Sequence, residues 1–267
     1  MKDVFNENLE NQAYGNYTSY YTARRKGDRR LNLLEPNLFE DKRVLDIGCN
    51  SGNISILIAK EYQPSFIKGV DIDPKLISKA ETNLRMTYSL GKPENGPKEK
   101  VEKLDLDPSL KYHYFPQSMT NMFGWIPTNV PPSFESTAFP FNITFEACDW
   151  TAVQSDEKYN TILGLSIVKW IQIHKGDDGL KEFFNKVYAA LLPGGKFILE
   201  IQDFTTFQKR AKHFENTVQD VNEELLFRPE HYSDYLLNVV GFKEAIDLGV
   251  PETTIKGFAR PIFIYVK

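Results

Sequence analysis

From residue 43 onward, short apolar runs alternate with stretches whose apolar positions recur every three or four residues. The run 43–47 (RVLDI) predicts a buried strand, and 53–61, beyond a glycine-containing loop, predicts a helix. The run 66–71 (FIKGVD) predicts a second strand. It leads into Asp73-Pro74, a helix cap followed by proline at the first helical position, after which Leu76, Ile77, Ala80 and Leu84 share one face. Strands are expected again at 143–147, 160–166 and 196–201, with a helix at 178–191 and a turn at Pro193-Gly194-Gly195. Helices near 204–214 and 229–237 follow, then two extended stretches, 243–248 and 258–266, that read as a β-hairpin with a long loop. The order predicts an α/β fold of βαβ units around a mostly parallel sheet, closed by an antiparallel pair.

Periodicity fails over about 86–142, which holds eight of the fifteen prolines and a charged run at 98–107. So long a loop is uncommon inside a compact domain. Aromatic residues in its second half, among them Phe134, Phe139 and Phe141, weigh against disorder throughout. The stretch reads as a partly mobile insertion in one domain spanning 43–267, preceded by an arm at 1–42.

Composition narrows the chemistry. With 41% hydrophobic and 13% aromatic residues in 267, the chain can bury a proper core. A net charge of −4 excludes a wholesale electrostatic nucleic-acid binder, so a polyanion must be met by a local basic patch. Two cysteines, Cys49 and Cys148, supply neither a disulfide framework nor a metal-ligand cluster, which points to a reducing compartment and no metal. The N-terminus is polar and no apolar run approaches the ~20 residues that span a bilayer, so a soluble, unexported protein without a membrane partner is expected.

The informative stretch is Val44-Leu45-Asp46-Ile47-Gly48-Cys49-Asn50-Ser51-Gly52, with a second acid, Asp71, ending the next strand. A small-residue loop at the carboxyl end of a parallel strand lets backbone approach a ligand, and an acid at the second strand's end can accept both hydroxyls of a ribose. Glycines stand only at 48 and 52, so the cradle for a dinucleotide pyrophosphate is weak. Asp46 would repel a pyrophosphate and attract a cationic amine or sulfonium. These residues resemble motif I of the S-adenosylmethionine-dependent methyltransferases, with Asn50 where glycine is more usual. That resemblance implies a Rossmann-like class I fold of seven strands ending in an antiparallel hairpin, with S-adenosyl-L-methionine as cofactor.

Further motifs stand along the chain: Tyr14-Gly15-Asn16-Tyr17, Tyr20-Tyr21 and Arg24-Arg25-Lys26-Gly27-Asp28-Arg29-Arg30 in the arm; Leu165-Ser166-Ile167-Val168-Lys169-Trp170; Gly176-Asp177-Asp178-Gly179-Leu180; Glu200-Ile201-Gln202; and Lys256-Gly257-Phe258-Ala259-Arg260-Pro261. Together they resemble the bicoid-interacting-protein family of RNA methyltransferases, which includes methylphosphate capping enzymes. The resemblance implies methyl transfer to the γ-phosphate at the 5′ end of a small non-coding RNA. It also implies cofactor contacts from Tyr21, Arg30, Gly48, Cys49, Asn50, Asp71, Ile72, Asp149, Trp150 and Leu165. Asp149-Trp150 departs from the Asn-Tyr of the family, although an acid and a ring can still hold an adenine.

A phosphate oxygen is anionic near neutral pH, so its attack on a methyl-sulfonium asks for alignment and cations more than for a base. None of the four histidines is expected as a general base. Lys169 is expected to neutralise the phosphate and Tyr20 to position the first nucleotide. Arg24, Arg25, Trp170, Gln202, Lys256 and Arg260 are the expected RNA contacts, arginine suiting bidentate phosphate binding. An alternative keeps the fold and pocket in a subunit that chiefly clamps a structured RNA in a ribonucleoprotein, beside a La-related protein as in family members that stay on their RNA. DNA is not expected, and the resemblance implies a nuclear location, with the cytoplasm as a second one.

Overall fold

The computed structural model describes residues 28–90, 117–126, 128, 138–205, 225–252 and 259–267. Four of the expected elements form on the expected residues: β1 (Arg43–Ile47), α1 (Asn53–Glu61), β2 (Phe66–Asp71) and, later, β3 (Ile143–Ala147). Helix α2 (Pro74–Ser89) starts as its cap predicts, with the Asp73 carboxylate accepting from the Lys75 N–H, and it buries Leu76, Ile77, Ala80 and Leu84. It runs into the expected insertion because the Ser89 hydroxyl donates back to the Arg85 carbonyl at 2.7 Å and accepts the Ile126 N–H at 2.8 Å. A short helix, α3 (Gln117–Phe123), lies between. Near the end of α2, Tyr88 meets Phe139 and Phe141 edge-on, each at 6.3 Å.

β4 (Tyr159–Leu165) is followed by α4 (Val168–Ala190), which begins ten residues ahead of expectation and bends at Gly176, where φ is 69°. Ile167 caps its start without a side-chain hydrogen bond, so no Ser, Thr or Asp marks the position. β5 (Leu191–Glu200) likewise takes in the expected Pro-Gly-Gly turn. Strand pairing overrides turn propensity there: Gly194 N donates to Lys267 O at 3.1 Å and Lys267 N to Gly195 O at 2.9 Å. The helix expected at 229–237 resolves into a 3₁₀ turn (Pro229–His231), α5 (Tyr232–Tyr235) and a π-helical turn (Leu236–Val240). β6 (Glu244–Asp247) and β7 (Ile262–Val266) form the expected hairpin. The helix expected at 204–214 lies almost wholly outside the described residues.

The seven strands run β3-β2-β1-β4-β5-β7-β6, parallel through β5 and antiparallel beyond. Alternate residues of each central strand feed opposite cores, as period-2 side chains must. Leu45, Phe197, Leu199 and Tyr265 pack on one face with Phe183 and Phe184 of α4. Val44, Ile198 and Ile264 pack on the other with Ile54 and Ile58 of α1. The expectation of a seven-stranded Rossmann-like sheet with an antiparallel end is met. Among the described residues, no helix is long and apolar enough to cross a membrane.

Candidate active site

The strand order reverses between β1 and β4, so helices leave the sheet on opposite faces and a crevice opens at the strands' carboxyl ends. It holds a cavity of about 410 Å³. Its floor is the loop after β1, where Gly48 N and Cys49 N both donate to Val70 O, at 2.8 and 3.0 Å. Gly48 has φ 76°, and a Cβ there would stand 2.2 Å from Ile167 Cγ2, so neither backbone nor space admits a side chain. Asn50 has φ 52°, a conformation that asparagine tolerates better than most residues, which accounts for its place where glycine is more usual.

Asp71 binds this loop to the next strand: Oδ2 accepts from Asn50 N at 2.8 Å and Oδ1 from Asp73 N at 3.0 Å. Burial raises its carboxyl above the ordinary value, and those backbone donors oppose the rise. Asp46 is deeper. It is 3% exposed, accepts from Ser55 Oγ at 2.5 Å, and is pushed up to about 6 by desolvation.

Asp149, beyond β3, is bonded to two neighbours. Oδ1 accepts from Thr151 N at 3.0 Å and Thr151 Oγ1 at 2.5 Å, and Oδ2 pairs with Lys175 Nζ at 2.8 Å. Lys175 also donates to Thr151 Oγ1. Partial burial works to raise the Asp149 carboxyl, but the Lys175 ammonium and the Thr151 hydroxyl bring it below its ordinary value. Trp150 is 7% exposed, edge-on to Phe183 at 6.0 Å, with Lys186 Nζ 4.6 Å from its ring centre; its indole is mostly core.

The opposite wall is cationic. Lys169, on the first turn of α4, is 9% exposed; its N–H donates to Gln202 Oε1 at 3.2 Å and its ammonium lies 4.9 Å from the Trp170 ring centre. Ser166, at φ 64°, donates to Glu200 Oε2 and accepts from Arg260 Nη1 at 2.8 Å. The same Glu200 oxygen pairs with Arg30 Nη1 at 2.8 Å, and Arg30 Nη2 pairs with Asp28 Oδ2 at 2.6 Å. Arg30 is 2% exposed, so its charge is spent largely on these two carboxylates.

Twelve expected residues thus line one cavity: Arg30, Gly48, Asn50, Asp71, Ile72, Asp149, Trp150, Leu165, Lys169, Trp170, Gln202 and Arg260. Cys49 does not line it; the thiol is buried behind the loop, close against Gly69. Tyr20, Tyr21, Arg24, Arg25 and Lys256 lie outside the described residues. Sequence reasoning gave no place to Thr151, His174 or Lys175, which also line the cavity. Lys175 carried one usable signal, its position next to the helix-breaking Gly176.

Residues 159–267 match the family model for bicoid-interacting protein 3, and residues 38–89 match a methyltransferase domain. The human 7SK snRNA methylphosphate capping enzyme is 33% identical over 95% of this chain and 39% of its own length. This chain therefore spans about two fifths of the human and mouse relatives. The U6 snRNA methylphosphate capping enzyme Amus of Drosophila melanogaster is 34% identical over 100% of this chain and 78% of that protein. Among solved structures, the magnesium protoporphyrin IX methyltransferase of Synechocystis shares the fold, with a TM-score of 0.51 at 16% identity over 98% of this chain and 91% of that one. The agreement with Amus runs from end to end, through both halves of the crevice, and on that ground the chain belongs to the bicoid-interacting protein 3 family.

Proposed function

We propose that this protein transfers a methyl group from S-adenosylmethionine to the γ-phosphate at the 5′ end of a small RNA. The observation that carries the reading is the division of one cavity into an acidic floor, Asp46 and Asp71, and a cationic wall, Lys169 and Arg260. The floor suits the cofactor. A carboxylate offers about four acceptor sites, so Asp71 can hold its backbone donors and still accept from two ribose hydroxyls. The Gly48 cradle admits a ligand where a side chain would not fit. Asp46 offers a buried carboxylate whose desolvation a cation would offset.

The cofactor supplies an electrophilic methyl group on a sulfonium. The chain's own residues bind and align. Lys169 and Arg260 draw the terminal phosphate to the crevice without removing its negative charge, and Gln202 holds the backbone of Lys169 in place. No proton needs removing from the attacking oxygen, so alignment and charge carry the step. Relatives named as 7SK and U6 snRNA capping enzymes support a small nuclear RNA as the substrate class; a nuclear site of action is part of the proposal. A La-related protein on the same RNA belongs to this reading.

The test is transfer from labelled S-adenosylmethionine to a short RNA hairpin bearing a 5′ triphosphate, against matched monophosphate and hydroxyl ends. Label on the triphosphate RNA alone is expected. Cofactor binding without transfer to any RNA would reduce the protein to an RNA clamp and end the enzymatic reading.

A further inference from the structure

We propose that Lys175 is a positioning and specificity residue for the base of the cofactor, acting with Asp149 as a paired donor and acceptor for the edge of an aminopurine. The inference deepens the proposed function and rests on its cofactor.

Asp149, Thr151 and Lys175 come from two separate segments, the turn after β3 and the helix α4 just before its bend at Gly176, and all three line the cavity. They form a closed triangle of charge-assisted bonds: Lys175 to Asp149 at 2.8 Å, Thr151 to Asp149 at 2.5 Å, and Lys175 to Thr151. The triangle fixes the plane of the carboxylate, and the ammonium holds it ionised. Asp149 Oδ2 takes one bond from Lys175, so an acceptor site remains on it for an exocyclic amino group. An ammonium has three donors, and two are committed here, to Asp149 and Thr151. The third is available to an unprotonated ring nitrogen. Acceptor beside donor matches adenine, which presents an amino group next to a bare nitrogen. It opposes hypoxanthine, which presents a carbonyl next to an N–H.

Both side chains are about one-third exposed, so the pair is part of the cavity rim rather than of the core. Removing Lys175 should therefore spare the fold while freeing Asp149 to turn.

The experiment is calorimetry of the full chain with S-adenosylhomocysteine and with its deaminated analogue, S-inosylhomocysteine. Wild type should prefer the adenine form. Lys175→Met should weaken adenine binding about tenfold, weaken inosine binding less, and leave the melting temperature unchanged. Lys175→Arg, which keeps the donors, should restore most of the preference. A mere structural role would lower both affinities together or shift the melting temperature, and either result overturns the proposal. Unchanged binding by Lys175→Met also overturns it while the cofactor reading stands. Failure of wild type to bind either compound removes the cofactor reading itself.

Discussion

Asp46 concentrates the energetics of the site in one atom group. Its proton is held more tightly in the folded protein, at about 6, than at the ordinary carboxylate value of 3.8. Between those values the folded state binds more protons than the unfolded chain, so stability declines as pH rises toward 6 and stays lower above it. The cost is on the order of 3 kcal/mol at neutral pH. Asp46→Asn keeps an acceptor for the Ser55 hydroxyl and removes the charge. It should raise the melting temperature well above pH 6, with the gain fading as pH approaches 4; a gain independent of pH would assign it to packing instead. Asp71→Ala removes the acceptor for Asn50 and Asp73 and the proposed ribose contact together. Calorimetry should then find no cofactor binding, and normal affinity would refute the placement. Both acids were legible in the sequence because loop, glycines and strand-ending acid lie within a few residues or one βαβ unit. The Arg30–Glu200 pair, 170 residues apart, and the Lys175–Asp149 pair carry no such local signal.

Among elements, α4 shows where local pattern and tertiary structure part company. Its apolar positions before Gly176 were hidden by a glycine that reads as a terminus, yet the bend is put to use. Asp177, just past it, accepts from Leu226 N at 2.8 Å and Phe227 N at 2.7 Å, while Gln172 Nε2 donates to Asp177 at 2.7 Å and to Phe227 O at 2.6 Å. The fully buried Gln172 also accepts from the Tyr232 hydroxyl at 2.8 Å. The Gly176-Asp177 motif therefore serves as a dock for the chain returning at 225–227. Asp177→Ala should cost about 1–3 kcal/mol and speed amide exchange at Leu226 and Phe227 at least tenfold, with β1 and β4 unaffected. Unaltered exchange at those two amides would mean that the dock is held by apolar contacts alone. Strand β5 was cut short in the sequence reading for a related reason: a Pro-Gly-Gly turn signal is local, and its pairing partner, β7, is some seventy residues away.

For the molecule as a whole, charge is distributed against the first impression of its sum. Residues 24–30 carry a net +4 within a chain of −4, leaving −8 for the rest. The structure refines that local patch: Arg30 is turned inward to Asp28 and Glu200, and Arg29 donates to the Glu252 carbonyl at 3.0 Å. Among the described residues of the crevice, the cations proposed to meet the RNA are Lys169 and Arg260. Together with the arm they would meet about four phosphates, which gives a slope of log affinity against log salt near −3 at about −0.7 per single-stranded contact. Titration of a 5′-triphosphate RNA across salt concentrations measures it. A slope more than twice as steep would call for a second, extended RNA surface.

The placement of β7 between β5 and β6 reaches beyond the finished fold to its making. Residues 262–266 follow the other six strands of the sheet in sequence and yet become an interior strand. Until they emerge, β5 has an open edge and β6 has no neighbour, so the half of the molecule that carries Glu200 and Gln202 must wait unfinished through synthesis. The floor of the crevice, built from 43–71, has no such wait. During translation the protein should therefore shape the proposed cofactor half first and complete the phosphate half only after residues 262–266 have emerged.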